Sequence, residues 1–449
     1  MGCNFADIRY QRRDSELIQV DNRTLQSYSS DTLSGVGIRV VYGGSIGFAS
    51  TCDTSEKSLN ETMNFAVKSA RAQISGEEEP FSTIPLTQAD LGLKMKTNPF
   101  DVSPEVKVSL AVDANKAAFI DESIKTAYTK IGFIYNSKHF LSLDGTEVKV
   151  RTPLIGLSHQ SVAAKNGVKE IVSDSLSRCS GWELMEEEDW NTFTEELSRH
   201  AMKAVEARPA PPGTFPVVVD QDVIGLVLHE ALGHACEGDA VVSNASILKG
   251  KKTERIADEQ VTVIDEGIVT GGYYHPFDDE GVEKGKTILI EDGVLKRFLT
   301  DRKNAQKLGV ASTGNGRLQD FENFPIVRQT NFYMKEGRHS IDELFEDVTL
   351  GIYIKGKGGR GGQVDPSGTF TFGVGPSYII RDGEPQEMVR GVVISGNILE
   401  TLGSIDAVGK EIKIKTSVFG GCGKAGQSVK TGMGGPPVRA QKMTVGGRA

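Results

Sequence analysis

The chain is poor in cysteine, has no surplus of positive charge and contains no long apolar run, and each shortage removes a class of protein. Its 449 residues include five cysteines, Cys3, Cys52, Cys179, Cys236 and Cys422, scattered and odd in number. A secreted disulfide scaffold is not written that way, so most of these thiols are expected to be reduced. Lys and Arg number 51 against 60 Asp and Glu, a formal net charge of -9. No overall positive field draws in a phosphate backbone, and direct nucleic-acid binding is not expected. The longest apolar stretch, around Phe215 to Leu228, is broken by Asp220 and Asp222 and falls short of the ~18 residues of a membrane span. No membrane partner is expected. The opening Met1-Gly2-Cys3-Asn4-Phe5-Ala6 lacks the basic-then-apolar layout of a secretion signal, and Ala6 stands where a myristoylation motif takes Ser or Thr. A cytoplasmic protein is the expectation.

What is present suits two or three domains. Residues 1–92 read as an N-terminal α+β unit: short β-like runs between Gly35 and Ala49, then a helix with capping-box spacing at Asp53 and Glu56. Leu59, Met63, Ala66, Val67 and Ala70 recur at helical intervals on one face of it. Polar, proline-interrupted sequence from Ser75 to Asp90 closes the unit. Residues 93–207 read as a middle unit with a helix from about Pro104 to Lys130, strands at Gly132–Asn136, Phe140–Leu143 and Glu147–Arg151, and a further helix from about Trp190 to Ala207. Asp144-Gly145 marks a hairpin between the last two strands. No helix or central strand survives Arg208-Pro209-Ala210-Pro211-Pro212-Gly213, which places the main boundary there. Residues 214–449 then read as a mostly antiparallel β unit, with turns at Asp292-Gly293 and Asp382-Gly383 and a short helix near Asp301–Leu308 stopped by Gly309. Runs of strands separated from helices give an α+β class.

The chemistry concentrates in His229-Glu230-Ala231-Leu232-Gly233-His234. Two imidazoles are good zinc ligands, and a neighbouring carboxylate can take a proton from a metal-activated water. Val217-Val218-Val219 reads as a strand leading into this segment, with Asp220 or Asp222 as the helix cap. The spacing is five, not four: on a regular α-helix i and i+5 lie about 140° apart, too far around to share an ion. The motif therefore requires a π-type turn or a helix end near Gly233, where distortion is cheap. A helix otherwise built from Val223, Ile224, Leu226, Val227 and Leu228 has little reason to bury unpaired imidazoles unless a metal satisfies them.

A third protein ligand is needed. Cys236 lies roughly 10 Å along a continued helix from His229 at about 1.5 Å per residue, too far to reach back. Cys422, flanked as Gly420-Gly421-Cys422-Gly423-Lys424, has a backbone able to approach a site closely and a lysine that favours thiolate. The residues alone leave that choice open. Glu237 and Asp239 are candidates to hold the free ring nitrogens of the histidines. His275, beside Pro276, reads as a surface-loop residue, and His139, His159, His200 and His339 have no partner spacing. Gly356-Lys357-Gly358-Gly359-Arg360-Gly361 matches a dinucleotide fingerprint by letter. The sequence after it reads as turn and strand where the fingerprint needs a helix. A glycine-rich rim beside an exposed strand edge, open to a substrate strand, is the more physical interpretation.

The block from His229 to Asp239 resembles the TldD/PmbA metalloproteases, also called modulators of DNA gyrase. Gly361–Pro366, Gly391–Leu399, Cys422–Gln427, Met443–Gly447 and Gly35–Arg39 resemble that family too, so the likeness covers nearly the whole chain. The resemblance implies one zinc ion per subunit held by His229, His234 and Cys422, with Glu230 as general base. It also implies a peptidase acting on peptides or unfolded polypeptide, enclosed in a homodimer or in a heterodimer with a metal-free paralogue. This chain carries both the histidine motif and the late cysteine, so it looks like the catalytic, TldD type. The competing class is a non-enzymatic regulator of the gyrase-modulator kind with a structural zinc, and a closed sphere completed by Cys236 or His275 would be its sign.

Overall fold

A computed structural model describes residues 3–72, 81–357, 359 and 361–447. Met1 and Gly2, residues 75–80 of the expected polar closure, and Gly358 and Arg360 of the glycine run lie outside the described residues. Strand accounts for 44% and helix for 22%, in mostly antiparallel sheets, which is the α+β class expected.

The first sheet has seven strands. In chain order its elements are β1 (Phe5–Asp21), β2 (Thr24–Tyr42), β3 (Ser45–Thr51), α1 (Glu56–Arg71), β4 (Gln88–Gly92), α2 (Pro104–Ala117), β5 (Ile124–Ser142), β6 (Glu147–Lys165) and β7 (Val168–Arg178). The spatial order is β3-β2-β1-β5-β6, and β4 and β7 share the outer edge of β6. Because β1 pairs with both β2 and β5, this one sheet draws strands from either side of position 92. The runs expected between Gly35 and Ala49 are the inner halves of β2 and β3. The outer half of β2, Thr24–Leu33, is polar and mostly exposed, so no alternation announces it.

The helix expected from Pro104 to Lys130 is corrected: it ends at Ala117, and Ile124 to Lys130 begin β5. Past a bulge at Ile124/Thr126, Ala127, Thr129 and Ile131 turn inward at period two, the mark of a strand. Gly132–Asn136 and Phe140–Ser142 prove to be one strand, with Leu143 already in the turn, and Gly145, at φ 96°, makes the hairpin turn to β6. The cap of α1 is Ser55, which accepts from the Ser58 amide; Asp53 instead accepts from Ser55. Ala66, Val67 and Ala70 of α1 bury against Val36, Ile38 and Val40.

Beyond residue 207, a ten-stranded sheet places Gly213–Val219 at its centre, parallel to Leu350–Ile354 and antiparallel to Val438–Gly447. Arg208–Pro209 is only a two-residue strand at the sheet's edge, where proline costs no ladder bond. A six-stranded sheet faces it, and the helix Gln221–Val227 and the motif lie between, with Val223, Val227, Leu228 and Leu232 joining Val219, Ile352, Phe332 and Met334 in one core. The close fit is set by glycine: a Cβ on Gly225 would stand 2.7 Å from the Gly434 Cα. Asp292-Gly293 and Asp382-Gly383 take left-handed turns, and Gly309 ends Arg302–Leu308, as their sequences required.

Candidate metal centre

The central strand ends at Val219, and Asp220 caps the following helix by accepting from the Val223 amide at 3.0 Å. Asp222 serves elsewhere, accepting from Lys415 at 2.8 Å. After Val227 the chain departs from α geometry. Leu228–Gly233 winds as a single π turn and His234–Cys236 as a 3₁₀ turn. The wider turn brings i and i+5 onto one side, and the two rings stand edge to face with centroids 5.5 Å apart.

The reason for Gly233 differs from the expectation. Its backbone is ordinary helix, φ -59° and ψ -45°, so no special conformational freedom is used. A Cβ there would instead stand 2.2 Å from Gln329 Oε1. Buried Gln329 donates from Nε2 to the His229 carbonyl at 3.1 Å, tying the π turn to the segment after the strand Ile326–Val327. No local pattern in the sequence announces Gln329.

Cys422 arrives on a tight hairpin, Cys422–Lys424 paired with Gln427–Val429, turned by Ala425 at φ 50° and Gly426 at φ 76°. Fully buried Arg328 donates to the carbonyls of Cys422 and Gln427 and so fixes that hairpin. Lys430 donates to the carbonyls of Val418 and Gly420, holding the approach to the cysteine. The result is that one donor atom each from His229, His234 and Cys422 lie within 4.8 Å of one another. His234 Nε2 and Cys422 Sγ are already 3.3 Å apart, close to the ~3.5 Å separation that metal bonds of about 2.0–2.3 Å impose in a tetrahedral site.

Polarity within the cluster follows from these contacts. Burial opposes ionisation of the Cys422 thiol, but the two imidazoles outweigh it and pull the thiol down to about 5. Burial likewise opposes charge on His234, but Cys422 and Glu237 raise it to about 10. Glu237 is fully enclosed, which by itself would raise its carboxyl; His234 and Lys424 hold it below the usual range. Glu237 accepts from His234 Nδ1 at 3.2 Å and so leaves Nε2 facing the thiol. Asp239 does not reach a histidine: it accepts from Lys424 at 2.7 Å, as does Glu237. Lys424 is thus occupied by carboxylates, and the histidines rather than the lysine favour the Cys422 thiolate.

Both nitrogens of the buried His229 lack a hydrogen-bond partner among the described residues. That is the orphaned polarity a metal would satisfy, and an N, N, S donor set suits zinc. Glu230 is partly exposed, with Oε2 3.9 Å from His234 Nε2, and lies in the same cleft as His229 and Cys422. Asp174, Ser175, Asp222, Lys415 and Gly356 are among the residues of the cleft walls, so the first sheet contributes through β7. Lys415 bridges Asp174 and Asp222 at 3.2 and 2.8 Å.

Cys236 is buried in the core and is not in the metal-competent group. His275 is not on the surface: it is 6% exposed, because its loop packs on the first sheet through Thr152 to the Tyr274 carbonyl and Lys138 to Asp279. After the glycine run, Gly361–Val364 and Thr369–Gly373 form an antiparallel hairpin at the edge of the ten-stranded sheet, with no helix.

Family models match the chain in three consecutive parts. These are PmbA/TldA metallopeptidase domain 1 at residues 6–73, the central domain at 97–205 and the C-terminal domain at 212–447. The chain belongs to the PmbA/TldA metallopeptidase family. Among its relatives, a metalloprotease of Methanothermobacter thermautotrophicus is 37% identical, over 99% of this chain and 95% of the relative. The zinc metalloprotease TldD homolog of Saccharolobus solfataricus is 32% identical, over 100% and 97%. In fold, TldE from Thermococcus kodakarensis superposes with a TM-score of 0.82 at 21% identity, covering 99% of this chain and 97% of that one.

Proposed function

We propose that this chain is a zinc-dependent peptidase that hydrolyses peptides or unfolded segments, with the ion held by His229, His234 and Cys422 and Glu230 as general base. The observation that carries this reading is the convergence of two imidazoles and a thiol beside a carboxylate in one open cleft. A bound zinc would polarise the scissile carbonyl and acidify a water. Glu230, 3.9 Å from His234 and in the same cleft, would act as the base toward a water there and pass the proton to the leaving amine. Glu237 fixes the His234 tautomer and, with Lys424 and Asp239, holds the ring in place. The rim formed by β7, Gly356 and Lys415 borders the approach an extended chain would take to the cluster.

The regulator with a closed structural zinc is less well supported, since the metal-competent group among the described residues has three members and faces a cleft. We take the working form to be a cytoplasmic dimer, with a second copy or a metal-free paralogue. Replacing Glu230 with Ala is expected to abolish peptide cleavage while zinc stays bound. Undiminished turnover would reject Glu230 as the base.

A further inference from the structure

A second cavity, sharing no lining residue with the cleft, lies between β1, β5 and β6 on one side and the loop Tyr273–Asp279, Arg317 and Ser428–Lys430 of the Cys422 hairpin on the other, with a volume of about 100 Å³. At roughly 10–15 Å³ per water this is space for several waters or a small organic molecule. Its walls hold four buried polar side chains with atoms that lack a partner among the described residues: Arg9 Nε and Nη1, Gln11 Oε1, His275 Nε2 and Arg317 Nε. These residues are 5%, 2%, 6% and 3% exposed. Leaving such a group buried and unpaired is costly, more so when it is charged, so four around one cavity call for a shared partner.

The charge there is positive. The lining holds Arg9, Arg13, Lys138, Arg317 and Lys430 against Asp278 and Asp279; Arg9 pairs with Asp7, which also pairs with Arg39, itself paired with Glu280 as well. Arg317 spends its terminal nitrogens on the carbonyls of Gln329 and Lys430. Of the two acids in the lining, Asp279 is taken up by Lys138 and the Leu318 amide, and Asp278 by the amides of Glu280, Val282 and Gly316. Burial and the neighbouring cations hold His275 neutral, so its Nε2 is free to take either hydrogen-bond role. Apolar surface lies beside these groups in the same lining, from Ile134, Val150 and Phe277.

We infer that this cavity is a binding site for a small carboxylate with an apolar side group, of the size of a free amino acid. The carboxylate sits between Arg9 and Arg317, Gln11 Oε1 accepts from the ligand's nitrogen, and the side group lies on the apolar wall. This inference does not rest on the peptidase reading, because none of these residues belongs to the metal cleft.

Leucine, N-acetyl-leucine and leucinamide titrated separately into the full-length protein, followed by calorimetry, test it. Saturable binding of the two carboxylates, with leucinamide bound at least about tenfold more weakly, is expected from the loss of a charge-assisted contact. Arg9→Gln should weaken leucine binding by about tenfold or more, whereas Cys422→Ala should leave it unchanged. If none of the three ligands saturates on the wild-type protein, the cavity holds only water and the inference fails. It fails equally if Cys422→Ala abolishes binding, which would put the ligand in the cleft, or if leucinamide binds as well as leucine.

Discussion

Gly233→Ala probes why the motif can depart from α geometry. The added methyl would stand 2.2 Å from Gln329 Oε1 and 2.4 Å from its Cδ. Gln329 is fully buried, so its amide has no free space into which to swing. Overpacking of this kind costs about 1–3 kcal/mol. Displacing the amide also removes the Gln329 bond to the His229 carbonyl and orphans a buried acceptor, a further loss of about 1–3 kcal/mol. Against this, alanine in a helical position returns about 1 kcal/mol over glycine. The net expectation is a destabilisation of about 1–5 kcal/mol, read as a lower denaturant midpoint at unchanged slope. Zinc affinity should weaken with it, because the displaced π turn carries His229 and leads directly into His234. Adding Gln329→Ala to Gly233→Ala should restore part of the midpoint, so that the two changes are not additive. A Gly233→Ala protein as stable as the parent, or more so, would refute the packing argument.

Three further outcomes follow from the site. In metal-free protein the Cys422 thiol, held at about 5 in the folded state against an ordinary 9.0, stabilises the fold above the ordinary value, and that contribution is lost as pH falls through about 5. His234, raised to about 10 from 6.5, has the opposite sign: its contribution is present below 6.5 and is lost as pH rises through about 10. Iodoacetamide should therefore label Cys422 of the metal-free protein at a rate nearly flat from pH 9 to 6, and a rate halving near pH 9 would contradict the pairing. Arg328→Met removes the donor that fixes the Cys422 carbonyl and is expected to weaken zinc binding about 10–100-fold, measured by competition with a chelating dye. Glu237→Gln should cost a similar factor, since the acid that orients His234 is lost.

Much of the site was legible because its logic is local. Five-residue spacing in an apolar helix demands an underwound turn, and Asp220, Gly309 and the Asp-Gly pairs are short-range signals with a single conformational meaning. What stayed hidden is non-local. Gln329 and Arg328 form the scaffold under the motif and the Cys422 hairpin, yet they act about 100 and 94 residues away along the chain, and no periodicity links them. His275 was misplaced because Pro276 describes the loop and says nothing of the sheet that covers it. Ile124–Lys130 follows α2 closely and its own sequence does not separate it from a helix; pairing with β1 and β6 decides that it is strand. Cys422, whose Sγ lies within 4.8 Å of the donor atoms of both histidines, stands 188 residues from His234, a separation that only family resemblance and no spacing argument spans.

Anomalous diffraction at the zinc edge, on crystals of protein purified without chelator, tests the central claim most directly. The account predicts one peak per subunit, at about 2.0–2.3 Å from His229, His234 Nε2 and Cys422 Sγ, with a fourth position open to the cleft beside Glu230. Zinc bound elsewhere in the chain, or a fourth protein ligand closing the sphere, would contradict it.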